Sequence, residues 1–170
     1  GLKARDLTTP VVVRFSDILA HRLRHLADAF AQAIAENEYG NTYAAVFPIK
    51  VNQQRLVVEE VFRYGAAHGF GLEVGSKPEI FAALSVHSDN ESLIVCNGYK
   101  DDAYIRTALL GQKLGKKVIL IAEKLSEVHA ICRVAERYGI PVLEDAAEAL
   151  GSEFEGRKCG TFGALGALSF

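Results

Sequence analysis

The sequence predicts an α/β protein: parallel strand-helix repeats of an incomplete (β/α)8-type barrel, ending in a Gly-rich β hairpin and strand. Over the first ~145 residues, short apolar runs alternate with longer stretches at helical spacing, joined by short connections. After Asp145 that alternation stops, and Gly151, Gly156, Gly160, Gly163 and Gly166 crowd together. Six strand-helix units fall short of the eight that close such a barrel.

Residues 10–15, with Val11-Val12-Val13, predict a first strand, and Ser16 or Asp17 can cap the helix that follows. Leu19, Leu23, Leu26, Phe30 and Ile34 recur at helical spacing opposite Arg22, Arg24, Asp28 and Gln32. A second strand is expected over 42–51, ending around Lys50, then a helix over 53–68 stopped by Gly69. Residues 70–74 predict a third strand. Ser76-Lys77-Pro78-Glu79 reads as a capping box with proline in the first turn of a helix through Leu84. Leu93-Ile94-Val95-Cys96 predicts a strand, and Asp101 caps a helix carrying Ile105, Ala108 and Leu109. Residues 117–121 form the next strand. Ser126 caps a helix with Val128, Ile131, Cys132 and Ala135 on one face, ended by Gly139 and Pro141. Residues 140–143 predict a sixth strand, 154–158 a tight hairpin, and 164–170 a last strand.

Composition excludes several classes of function. Hydrophobic residues make up 49% and charged residues 24%, and a net charge of −2 supplies no basic surface for nucleic acid or anionic membrane. No apolar run approaches the ~20 residues of a membrane span, and the start lacks a signal-peptide pattern. Cys96, Cys132 and Cys159 are too scattered for a disulfide framework or zinc site, so a reducing, cytoplasmic setting is expected. The absence of Met suggests a piece of a longer chain. The chain is one domain in size.

Lys50 is the most informative residue. An ammonium inside an apolar run is costly unless paired, and desolvation of that kind makes an amine nucleophilic. Such an amine can form a Schiff base with a carbonyl substrate or with pyridoxal phosphate (PLP). The alternative is a strand-end lysine that reaches solvent. Ligands of parallel α/β folds bind at the carboxyl ends of strands, where Lys50, Glu73, Asn97 and Asp145 all fall. Glu73 can orient or balance the lysine. Ser76 opens a helix whose N-terminus can hold an anion, but it is a cap first and an anion ligand only second. His21 and His25 lack a third ligand, so no metal site is indicated.

Five stretches in family order make the chain from about residue 2 to 125 resemble the biosynthetic arginine decarboxylases. They are Val13-Arg14-Phe15-Ser16-Asp17-Ile18-Leu19; Phe47-Pro48-Ile49-Lys50-Val51-Asn52-Gln53-Gln54-Arg55; Leu72-Glu73-Val74-Gly75-Ser76-Lys77-Pro78-Glu79; Val95-Cys96-Asn97-Gly98-Tyr99-Lys100-Asp101; and Glu123-Lys124-Leu125-Ser126-Glu127. The resemblance implies an alanine-racemase-like barrel with a second, β-rich domain. It implies PLP, with magnesium, and conversion of the small amino acid arginine to agmatine for polyamine synthesis. It implies that Lys50 is the Schiff-base lysine, and that Glu73 stands near the cofactor's imine.

Residues 138–152, with Gly160-Thr161-Phe162-Gly163 and Leu168-Ser169-Phe170, resemble instead the PLP aminotransferases of nucleotide-linked keto sugars. That resemblance implies Asp145 against the pyridine nitrogen, Glu148 near the phenolic oxygen and Ser169 near the phosphate. The two together imply a chimera joined near 126–132, with a partial PLP-binding barrel over 1–128 and an aminotransferase-like segment over 129–170. Three readings follow: a decarboxylase piece of weak or no activity, an aminotransferase piece, or a non-catalytic recombinant α/β scaffold. An unclosed sheet also implies a homo-oligomer, because its edge strands are free to pair.

Overall fold

Six short strands line up in the order in which the chain makes them. The computed structural model describes residues 1–139 and 141–168, without the side chains of Lys3, Leu125, His129, Cys132, Ala135, Glu136 and Val142. β1 (Val46–Pro48), β2 (Gly71–Val74), β3 (Leu93–Cys96), β4 (Lys117–Ala122) and β5 (Val142–Asp145) pair in sequence, every pair parallel. β6 (Glu153–Phe154) and β7 (Arg157–Lys158) form a separate antiparallel hairpin. β8 (Leu165–Ala167) then adds parallel to β5 as the sixth strand. The α/β reading with parallel strand-helix repeats therefore holds.

Strand side chains alternate between the two faces. Leu72, Val74, Ile94, Cys96, Val118 and Leu120 are fully buried, in one core with Ile80, Ala83, Tyr104, Ala108 and Ile131 of the helices. Those helices are α3 (Lys77–Val86), α4 (Asp102–Lys113) and α5 (Leu125–Tyr138). The alternate positions Val95, Ile119, Ile121 and Leu143 are only half-buried, and Leu165 is exposed. Right-handed crossovers that always step the same way keep their helices on one side of the sheet. α1 (Ser16–Glu36) and α2 (Arg55–Gly65) pack together at the β1 end, where Leu23, Ala45, Val61 and Phe70 make a second cluster.

Several boundaries differ from expectation. Residues 10–15 form no strand and are exposed, with Val12 at 84%, so the first of the six strands is β1 and the sixth is β8. The valines have β propensity but no neighbouring strand among the described residues, and propensity without a ladder does not make a strand. The strand expected over 42–51 shrinks to three residues. Lys50 lies beyond it, in a 3-10 turn over Ile49–Val51, because Pro48 has no N–H to carry the ladder on. Neither Ser16 nor Asp17 caps α1: Phe15 is the N-cap, and Ser16 Oγ donates to Glu60 Oε1 on α2 at 2.5 Å. Ser126 falls inside α5, which begins at Leu125. The other signals work as expected. Glu79 N–H donates to Ser76 Oγ (3.4 Å), Tyr104 N–H donates to Asp101 Oδ1 (2.7 Å), and Gly69 ends the turn after α2 at φ 73°.

Candidate functional site

The loops after β1, β2, β3, β4 and β5 meet around a cleft of about 380 Å³ at the carboxyl end of the sheet. Lys50, Ser76, Asn97 and Asp145 line it, together with Gly75, Glu79, Gly98 and Glu123. The first four come from four separate strand ends, so only the parallel order brings them together. Lys50 and Asp145 are exposed on the rim, and Asp145 Oδ1 also accepts the Ala147 N–H at 3.1 Å.

Glu73 lies behind Asn97. Its register partners are Pro48 and Val95, and it is 4% exposed. Asn97 Nδ2 donates to Glu73 Oε1 at 2.8 Å, while Oε2 is buried without any hydrogen-bond partner in the structure. A buried polar atom normally has a partner, and leaving one bare is costly. Glu148 is exposed and does not line the cleft. Ser169 lies outside the described residues.

Carboxylates tie the rim together. Glu79 Oε2 accepts the Gly75 N–H at 2.6 Å, and its Oε1 accepts Gln53 Nε2 at 2.8 Å. Glu123 Oε1 accepts the Gly98 N–H. Glu127 accepts the N–H groups of Lys100 (2.9 Å) and Glu123 (3.2 Å). Glu144 accepts those of Gly160 (2.6 Å) and Phe162 (2.7 Å), which fastens the Gly-rich segment to β5. Gly98 sits at φ 76°, and a Cβ there would collide with the Gly75 carbonyl oxygen. Sequence reasoning missed Glu79, Glu123, Gly75 and Gly98 as lining residues. Their signal was position, since each follows a strand or opens the helix after it.

Other reactive groups are held out of play. Burial pushes the Cys96 thiol up to about 12, against the lowering effect of Tyr104 and Lys100, so it is inert. Lys100 is buried, with Nζ donating to the Gly98 carbonyl at 2.5 Å and 3.7 Å from Glu127, so it braces the rim from behind. A larger cavity of about 510 Å³ between α2 and α3 is walled by Ile49, Val58, Pro78, Ala82 and Val86 and shares only Ser76 and Glu79 with the cleft.

Over most of its length the chain is similar to biosynthetic arginine decarboxylases. It is 51% identical over 142 residues to that of Vibrio cholerae and 46% over 139 residues to that of Phocaeicola vulgatus, in each case over 82% of this chain and 22% of the relative. It is 42% identical over 166 residues to biosynthetic arginine decarboxylase 1 of Synechocystis, over 92% of this chain and 24% of the relative. The crystal structure of the biosynthetic arginine decarboxylase of Campylobacter jejuni superposes with a TM-score of 0.77 at 28% identity, over 85% of this chain and 24% of that one. This chain thus spans about a quarter of the length of the curated relatives it matches. A profile of the DegT/DnrJ/EryC1/StrS aminotransferase family matches residues 112–170, which overlaps the Synechocystis match.

The residues present fit two ends of PLP. The Lys50 amine suits the aldehyde carbon, and a carboxylate such as Asp145 suits the ring nitrogen. The open Glu73 oxygen can meet an N–H donor. For a phosphate the cleft offers Ser76 and the start of α3, where Glu79 already holds the Gly75 N–H. No group of three or more His, Cys, Asp or Glu among the described residues is placed to hold a metal ion. No helix among them is long and apolar enough to cross a membrane.

Proposed function

We propose that this chain forms the lysine-bearing part of a PLP site of the arginine decarboxylase kind, acting on arginine to give agmatine. One observation carries the reading: Lys50, Ser76, Asn97 and Asp145 meet in one cleft of a chain 42–51% identical to arginine decarboxylases. Bound there, PLP would supply the electron sink that weakens bonds at the substrate's α-carbon. Lys50 would hold the cofactor through its amine. Asp145 would face the ring nitrogen and keep it protonated. Ser76 and the first amides of α3 would face the phosphate. Glu73 would accept a hydrogen bond from the nitrogen that joins lysine or substrate to the ring.

The family match over 112–170 favours a second reading, in which the last third of the chain descends from a sugar aminotransferase and the seam lies near 126–132. In both readings Asp145 has the same role, so both meet in one test. Protein treated with PLP and reduced with borohydride is expected to carry a pyridoxyl group on the Lys50 peptide, and Lys50→Ala is expected to abolish it. Labelling spread over surface lysines, or unchanged in Lys50→Ala, overturns the proposal. Release of carbon dioxide from arginine, lost in Lys50→Ala, separates the decarboxylase reading from the aminotransferase one.

A further inference from the structure

We propose that Asn97 is a positioning residue for Glu73: it engages Oε1 and leaves the buried Oε2 presented to a protonated nitrogen of a ligand in the cleft, with Tyr104 fixing Asn97 from behind. The inference rests on the PLP reading above and deepens it.

Three observations carry it. First, Glu73 is held asymmetrically. Asn97 Nδ2 donates to Oε1 at 2.8 Å, and among the described residues Oε2 has no hydrogen-bond partner. An ionised carboxylate is acceptor-only, so the missing partner has to be a donor. No described side chain fills that place, and a donor on a ligand in the cleft that Asn97 lines can. Second, Asn97 is held from the opposite side. The Tyr104 hydroxyl lies 2.7 Å from the Asn97 carbonyl oxygen and 3.2 Å from that of Val74, and Tyr104 is itself 1% exposed. One α4 side chain thereby clamps the last residue of β2 and the first residue after β3, which flank Glu73 and carry Asn97. The Asn97 N–H also donates to the Val74 carbonyl at 2.8 Å. Third, the next residue is fixed as well, since Gly98 donates to Glu123 and abuts the Gly75 carbonyl. Asn97 therefore has its own backbone held at two points and the next residue's at a third, and from there its amide reaches Glu73.

The test compares wild type, Glu73→Gln, Asn97→Ala, Asn97→Asp, Tyr104→Phe and the Glu73→Gln/Asn97→Ala double variant, each as the full chain. PLP is the probe. The readouts are the apparent Kd, from the fraction of Lys50 labelled after borohydride reduction, and the thermal midpoint without ligand. Glu73→Gln and Asn97→Ala are each expected to weaken PLP binding roughly tenfold or more, as for loss of a charge-assisted hydrogen bond. The double variant is expected to be no weaker than the worse single one, because both remove the same interaction. Asn97→Asp keeps the shape but replaces the donor by an acceptor. It is expected to be at least as weak as Asn97→Ala and to worsen as pH rises and the new carboxyl ionises. Tyr104→Phe is expected to weaken binding by a smaller factor. Additive single effects, or an Asn97→Asp protein that binds like wild type, overturn the inference while leaving the PLP reading standing. Absence of Lys50 labelling in wild type overturns both. Variants that lose binding only because they unfold are recognised by their thermal midpoint; for those, Asn97→Asp decides.

Discussion

Gly98 is the residue with least freedom to change. Its φ of 76° suits glycine, and a methyl group would press into the Gly75 carbonyl oxygen. Gly98→Ala is expected to cost about 2 kcal/mol or more in urea unfolding, from the left-handed backbone and the overlap together. His87 gives a different signal. It is 2% exposed beside Phe62, its Nδ1 donates to the Asp89 carbonyl at 3.0 Å, and Ser92 Oγ lies 3.0 Å from Nε2. Burial lowers its pKa below the ordinary 6.5, outweighing the opposite pull of Asp89, and Lys116 adds to the lowering. The fold thus prefers neutral His87, while the unfolded chain takes up a proton near its ordinary pKa. Stability is expected to be full above about pH 6.5 and to fall as pH drops below it, with the slope lost in His87→Gln. Neither role could be read from sequence. The Gly75 carbonyl, Phe62 and Ser92 reach these two residues only after folding.

At the scale of elements, glutamates join neighbouring loops in a chain. Glu79 serves the turn before α3, Glu123 the loop after β3, Glu127 two successive loops and Glu144 the Gly-rich segment. Glu144→Ala is expected to speed amide exchange at Gly160 and Phe162 by tenfold or more while leaving α3 and α4 protected, since hydrogen bonds to a charged group contribute roughly 1.5–3 kcal/mol each. Uniformly faster exchange would mean that Glu144 holds the whole domain. The helices and the four inner strands were legible in the sequence, because period, caps and apolar runs agreed there. Asp101 and Ser76 cap as expected. Residues 10–15 misled because their valines have a strand's composition without a strand beside them. Ser126 misled because capping is decided by backbone geometry, and α5 had already begun.

Among the described residues, one face of the sheet is only partly covered. All-parallel sheets are normally covered on both faces, yet Ile119, Ile121 and Leu143 are half-exposed and Leu165 is 63% exposed. The described strands also leave β1 and β8 as free edges. Sedimentation is expected to show association that grows with concentration and is reduced in Ile119→Lys/Ile121→Lys; a monomer at every concentration would refute this. Cleft residues were legible as a group because parallel strands collect their carboxyl ends on one side, whereas the pairing of Asn97 with Glu73 needed the register. That register has one more consequence. Phe47 pairs with Leu72, Leu72 with Ile94, Ile94 with Val118, Leu120 with Val142 and Leu143 with Leu165, so each new strand closes a loop of nearly the same short length onto the strand before it. The entropy of closure is then about equal at every step. Assembly can run from one end as the chain leaves the ribosome, each finished unit serving as template for the next.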